Sequence, residues 1–175
     1  VYNAALGPAN RAVTGELCDG WLPNQVPISR LASDYETVAS AARDAGRSPE
    51  DIEVTPWVPA VVHEESATAR DMLRRGIAGY VGQFQAYRSA VAASHPEAAE
   101  RISTAFSRES FDAAAAAVPD DVVDAMGIAG TPEHCRQRLA EIQDLPCVDT
   151  PLLTVPGWIR EPVAERTFTA LAPDR

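Results

Sequence analysis

The sequence predicts a parallel α/β fold, and within that class one half of a β/α barrel. Three observations carry this. Short apolar strands alternate with helical patterns along most of the chain, beginning with Tyr2-Asn3-Ala4-Ala5-Leu6 and then Pro8 to Leu17, and such alternation means a parallel sheet with covering helices. The turn after the first strand, Gly7-Pro8-Ala9-Asn10, lacks the G-x-G-x-x-G of a nucleotide-binding Rossmann half. The chain offers half the strands of a barrel, and its 175 residues fall short of the roughly 250 that a whole barrel takes.

Each element has its own signal. Residues 2–6 read as a strand, Gly7 closes a turn, and Pro8 suits the first helical position, where its missing N–H costs nothing. Val13 and Leu17 lie on one face of the helix that follows. Trp21-Leu22-Pro23 reads as the next strand. A long helix from Leu31 to Ala45 buries Leu31, Tyr35, Val38 and Ala42, and Gly46 stops it. Residues 52–62 form the longest strand candidate, with Pro56 and Pro59 marking irregular ends or a bulge. A helix is predicted over 67–78. Residues 79–118 lose the strand–helix beat and read as an insertion of short helices, broken near Gly82, His95-Pro96 and Val118-Pro119. A helix over 121–126 follows. Thr131 and Pro132 then form a strong helix start, with Cys135, Leu139 and Ile142 on one face. Residues 151–155 make the last strand, and the tail 158–175 adds a short helix.

Composition narrows the function. The net charge of -10, from 25 acidic and 15 basic residues, excludes the basic stripe of a nucleic-acid surface. All 15 basic residues are arginine. No apolar run reaches the roughly 18 residues of a membrane helix, so no membrane partner is expected. The cysteines, Cys18, Cys135 and Cys147, show no disulfide or zinc spacing. The expected setting is cytoplasmic and reducing, and no metal site is expected.

A strand that ends at a glycine and hands over to a helix N-terminus presents free N–H groups to an anion. Ala5, Leu6 and Gly7 stand at that position, the C-terminal end of a parallel strand, where barrel active sites form. The competing reading is a tight turn that needs a small residue. Gly20 follows a helix and opens the next strand, either as a C-cap or as a point of close backbone approach. Asn24 is the weaker candidate, a polar pocket residue near a strand end. Trp21 and Trp57 more often belong to a core. His63, His95 and His134 read as surface or helix-end residues, and Arg74, Arg75, Arg136 and Arg138 as a solvated helix face. No Ser/His/Asp set or placed carboxylate pair appears, so the catalytic residues are unknown.

The run Tyr2-Asn3-Ala4-Ala5-Leu6-Gly7-Pro8, followed by Gly15-Glu16-Leu17-Cys18-Asp19-Gly20-Trp21-Leu22-Pro23, resembles the luciferase-like monooxygenase family. Further matches come in order: Ala45-Gly46-Arg47-Ser48-Pro49, Val54-Thr55-Pro56-Trp57-Val58-Pro59, Tyr80-Val81-Gly82, the segment 118–125, Gly130-Thr131-Pro132-Glu133, and Val148-Asp149-Thr150-Pro151. The resemblance implies a (β/α)8 TIM barrel that uses FMN or the deazaflavin F420, F420 being favoured, to oxidise or monooxygenate a small organic substrate. It implies that residues 1–175 are the C-terminal half, strands five to eight, with the family's helical insertion at about 79–118 before the last strand. It also implies that Ala5, Leu6, Gly7 and Gly20 approach the cofactor's phosphate or ribityl part. Because the cofactor carries the chemistry, the absence of a catalytic side-chain set is expected.

The chain opens on Val1, inside a strand and without an initiator methionine, and reads as a fragment that alone is inactive. The alternative is a non-catalytic half-barrel that self-associates or pairs with a separate N-terminal half. Unpaired sheet edges and an open apolar face invite such association.

Overall fold

In the computed structural model, which describes residues 1–173, every strand pairing is parallel. Strands β1 (Tyr2–Asn3), β2 (Gly20–Trp21) and β3 (Glu53–Val54) lie side by side in sequence order. After Thr55 and Pro56 the third continues as β4 (Trp57–Val62), which is flanked by β5 (Ile128–Gly130) and β6 (Leu152–Thr154). A bridge between Asn24 and Trp57 ties β4 to the chain beyond β2. The N–H groups of Thr55 and Trp57 bond the carbonyls of Trp21 and Pro23 at 2.9 and 2.8 Å. The lateral order β1, β2, β3 with β4, then β6 follows the sequence, while β5, which comes between β4 and β6 in the chain, pairs on the other flank of β4.

Helices α1 (Pro8–Leu17) and α2 (Leu31–Asp44) cover one face of the first three strands. They cross closely at Gly15, where a Cβ would overlap the Val38 carbonyl. Trp21, Val38, Ala42 and Val54 are buried between helix and sheet. On the opposite face the Tyr2 ring lies over Gly20 and its hydroxyl bonds Glu53. That face is open, with Tyr2, Trp57 and Leu152 all exposed.

Around β4 the two faces are both used. Val58, Ala60 and Val62 pack on Cys135 and Ile142 of α8 (Pro132–Gln143) and Leu171 of α9 (Glu161–Leu171). Val61 faces α3 (Ser66–Gln83), which anchors a cluster with α4 (Gln85–Ala92), α5 (Pro96–Arg108), α6 (Phe111–Ala116) and α7 (Asp120–Met126). The Thr167 hydroxyl of α9 accepts the Val62 N–H at 2.9 Å.

Several expectations need correction. The first strand is shorter than 2–6, because the Ala5 carbonyl is taken by the Trp21 indole at 2.9 Å and not by a neighbouring strand. The candidate over 52–62 divides at Thr55–Pro56 into β3 and β4. Gly79 and Gly82 do not break a helix. They lie inside α3, where Gly82 lets the Phe106 ring of α5 close in, so the run of short helices begins after Gln83. Strand β5 has no sequence signal of its own, since three residues are too few to show a period. The helix of the tail is present as α9, and the end of the expected domain at 174–175 lies outside the described residues. Two helix ends follow their signals. Gly46 takes φ +75°, and the Arg47 and Gly46 N–H groups bond Ala42 and Arg43 in a Schellman pattern. Thr131 caps α8 by accepting the His134 N–H.

Candidate functional site

The turn between β1 and α1 is fixed from behind. Trp21 is fully buried, its indole holds the Ala5 carbonyl, and its ring stacks on Tyr35 with centroids 6.4 Å apart. Gly7 is the N-cap of α1 in extended conformation, with Pro8 next and no side chain capping the helix. The N–H groups of the first turn are therefore free of side-chain acceptors. No heavy atom lies within 4 Å of where a Gly7 Cβ would stand. A cavity of about 270 Å³ opens there, lined by Leu6, Gly7, Pro8, Arg11, Arg30 and Asp34, with α4 forming its far wall.

Arg11 is the residue that sequence reasoning missed. Only 9% of its side chain is exposed, and it pairs with Asp34, equally buried on α2. Arg30 reaches the same carboxylate at 2.7 Å. Two guanidinium groups thus share one carboxylate, which leaves a net positive site, and the Arg11 Nε has no hydrogen-bond partner. An uncapped helix N-terminus adds positive potential to it. The only advance signal was an arginine placed one turn inside the helix that follows the glycine.

A second cavity, about 150 Å³, lies beyond the C-terminal end of β2 and is lined by Asn24, Gln25, Trp57, Tyr80 and Thr154 among others. Asn24 is half-buried and donates from its amide to the Tyr87 hydroxyl at 3.3 Å. Burial pushes the Tyr87 pKa up. Gln25 has φ +55° and a buried Oε1 with no partner.

The sequence candidates are not all brought together. Ala5, Leu6 and Gly7 form the first turn, and Asn24 stands at the end of the neighbouring strand. Gly20 is the first residue of β2, at the other end of the sheet, where its lack of a side chain seats the Tyr2 ring. Arg74 and Arg75 are tied to Asp120 and Asp112, and Arg138 to Glu141. His63 accepts the Glu65 N–H at 3.1 Å, and His134 is exposed. Among the described residues no His, Cys, Asp and Glu side chains gather in a group that could hold a metal ion, and no helix is long and apolar enough to cross a membrane.

The family model for luciferase-like monooxygenases matches residues 1–147. The chain belongs to this family. It is 27% identical over 146 residues to 5,10-methylenetetrahydromethanopterin reductase of Methanolobus tindarius, covering 83% of this chain and 45% of that protein. Among solved structures it is similar to the coenzyme F420-dependent tetrahydromethanopterin reductase of Methanopyrus kandleri. That likeness has TM-score 0.72 at 23% identity and covers 89% of this chain and 44% of that one. It is also similar to an F420-dependent secondary alcohol dehydrogenase, with TM-score 0.65 at 16% identity and coverage of 98% and 48%. F420-dependent enzymes and a riboflavin lyase with modified FMN both occur among its structural neighbours. The luciferase-like chain spans less than half the length of these relatives.

Proposed function

We propose that this luciferase-like chain is the C-terminal part, strands five to eight, of an F420- or FMN-dependent oxidoreductase acting on a small organic substrate. One observation carries the reading. A buried arginine with an unpartnered Nε lines a cavity at an uncapped helix N-terminus, at the C-terminal end of a parallel strand. That is a fit for an anionic phosphate. In this reading Gly7 and the first-turn N–H groups receive the phosphate of the cofactor, Arg11 and Arg30 balance its charge, and Trp21 holds the turn still. Ala5 and Leu6 bring the backbone close, and Asn24 faces the pocket. Gly20 stays structural.

When bound, the deazaflavin or flavin supplies two-electron chemistry. This chain's own residues bind, orient and exclude water. F420 is favoured over FMN because the more similar structures are F420-dependent enzymes. The helices between α3 and α7 correspond to the family's insertion. A cytoplasmic setting belongs to the same reading. The open face carrying Tyr2, Trp57 and Leu152 would be covered by the N-terminal strands of the whole enzyme, or, in the alternative reading, by a second copy.

Fluorescence titration of the purified chain with F420 and with FMN tests the assignment. Weak binding of both, with F420 the tighter, is expected of a part that lacks half the cofactor pocket. Tight binding with turnover by a monomer would overturn the incomplete-enzyme reading, and absence of binding by either would overturn the cofactor site. Analytical ultracentrifugation separates the alternative, which requires a stable dimer.

A further inference from the structure

We infer that the chain carries a binding site for a neutral, planar aromatic compound bearing a hydrogen-bond-donating substituent. The site lies between α3, the start of α6 and the segment that follows β6. Its cavity is about 550 Å³, within the roughly 300–1,000 Å³ of small-molecule sites. The walls are the rings of Tyr80, Phe84, Phe111 and Trp158. Three of these are conspicuously exposed for their size, Phe84 at 50%, Phe111 at 37% and Trp158 at 52%. The floor is α3, bared by Gly76 and Gly79, which stand three apart and so share a face. Trp158 closes over Gly76. Above Gly79 a Cβ would fit, meeting the Gln83 amide and the Phe111 ring in ordinary contact at 3.8 Å.

The lining selects against charge. Arg75 is its one ionic residue, and its guanidinium sits 4.8 Å over the Phe111 ring and bonds Asp112 at 2.7 Å. Its charge is paired by a carboxylate that stands outside the lining. Aromatic walls prefer offset or edge-on contact with another ring, which an extended aliphatic chain cannot return.

The polar end lies next door. The smaller cavity shares Gly76, Tyr80 and Trp158 with this one and reaches Gln25. Gln25 is 8% exposed, sits in the left-handed backbone region, and buries an Oε1 that accepts nothing. A non-glycine residue held there, with an orphaned acceptor, is the kind of strained and unsatisfied group that functional sites retain. A turn of the Gln25 side chain toward the cavity would let an O–H or N–H on the ligand complete it. That this ligand is the substrate rests on the oxidoreductase reading above. The binding itself does not.

Isothermal titration of the chain with 2-naphthol tests the proposal, with 2-methoxynaphthalene as the analogue that cannot donate. The wild-type chain should bind 2-naphthol in the range of roughly 10–100 μM, and the methoxy analogue about tenfold more weakly. Gln25→Met should remove the difference between the two ligands. Gly79→Leu should fill the cavity and weaken both by about tenfold or more. Leucine is the better helix former, and a thermal melt shows that the variant is folded. Equal binding of the two ligands, or binding unchanged by Gly79→Leu, would overturn the site. Competitive displacement of 2-naphthol by riboflavin would assign the cavity to the cofactor ring and overturn the substrate role. Failure of F420 and FMN to bind would leave the 2-naphthol result standing.

Discussion

Arg11 of α1 and Asp34 of α2 form an ion pair with only 9% of either side chain in solvent, and Arg30 joins the same carboxylate at 2.7 Å. This pair joins the helix that opens beside Gly7 to the one that covers Trp21. Removing one partner of a buried pair strands the other, at a cost of about 3–5 kcal/mol. Asp34→Asn should therefore destabilise the chain by about that much in urea unfolding, and should loosen the cavity beside Gly7. The double change Arg11→Met with Asp34→Leu should recover most of the loss, because apolar replacement of a buried pair is often close to neutral.

Gly15 sets how closely α1 and α2 approach. A Cβ there would overlap the Val38 carbonyl and crowd Ala41 and Ala42. Backbone cannot yield as a flexible side chain does, so Gly15→Ala should cost about 1–3 kcal/mol, although alanine is the better helix former. A lowered urea midpoint at unchanged m-value is the expected result.

Thr167 ties the last helix to the sheet. It is 1% exposed, accepts the Val62 N–H at 2.9 Å and donates to the Val163 carbonyl at 2.8 Å. Thr167→Val keeps the shape and leaves the buried Val62 N–H unpaired, at about 1–3 kcal/mol. Faster amide exchange at Val62 is the local readout, with α9 released before the rest.

Cys135 is fully buried against β4, and burial pushes its thiol pKa up from 9.0 to about 11. The folded state thus holds the protonated thiol in preference. Its contribution is complete below about pH 9 and is lost as pH rises toward 11. Stability should fall across that window, and Cys135→Ala should flatten the fall. At pH 8 the native thiol should resist alkylation that the unfolded chain accepts at once.

Much of the architecture was legible because it rests on local chemistry. Pro8, Gly46 and Thr131 mark helix ends through backbone geometry that neighbours alone dictate, and all of them act where the sequence places them. The Ala5–Gly7 turn was legible for the same reason. What escaped depends on contacts across the fold. Gly82 looks like a breaker until Phe106, 24 residues on, is seen to need its space. Gly20 looks like a cofactor contact until the Tyr2 ring is found above it. Arg11 stands one turn inside α1 with nothing beside it in sequence to show its burial, and only Asp34 arriving from α2 does so. The orphaned Oε1 of Gln25 leaves no trace in its neighbours along the chain.

In the function proposed above, the cavity beside Gly7 and Arg11 takes a phosphate. FMN and riboflavin differ by that one group, so their affinities for the wild-type chain compare it directly without any substitution. Charge-assisted hydrogen bonds of about 1.5–3 kcal/mol predict FMN binding roughly ten- to a hundredfold tighter than riboflavin, with the advantage shrinking as salt is added. Equal affinity for the two would contradict the account.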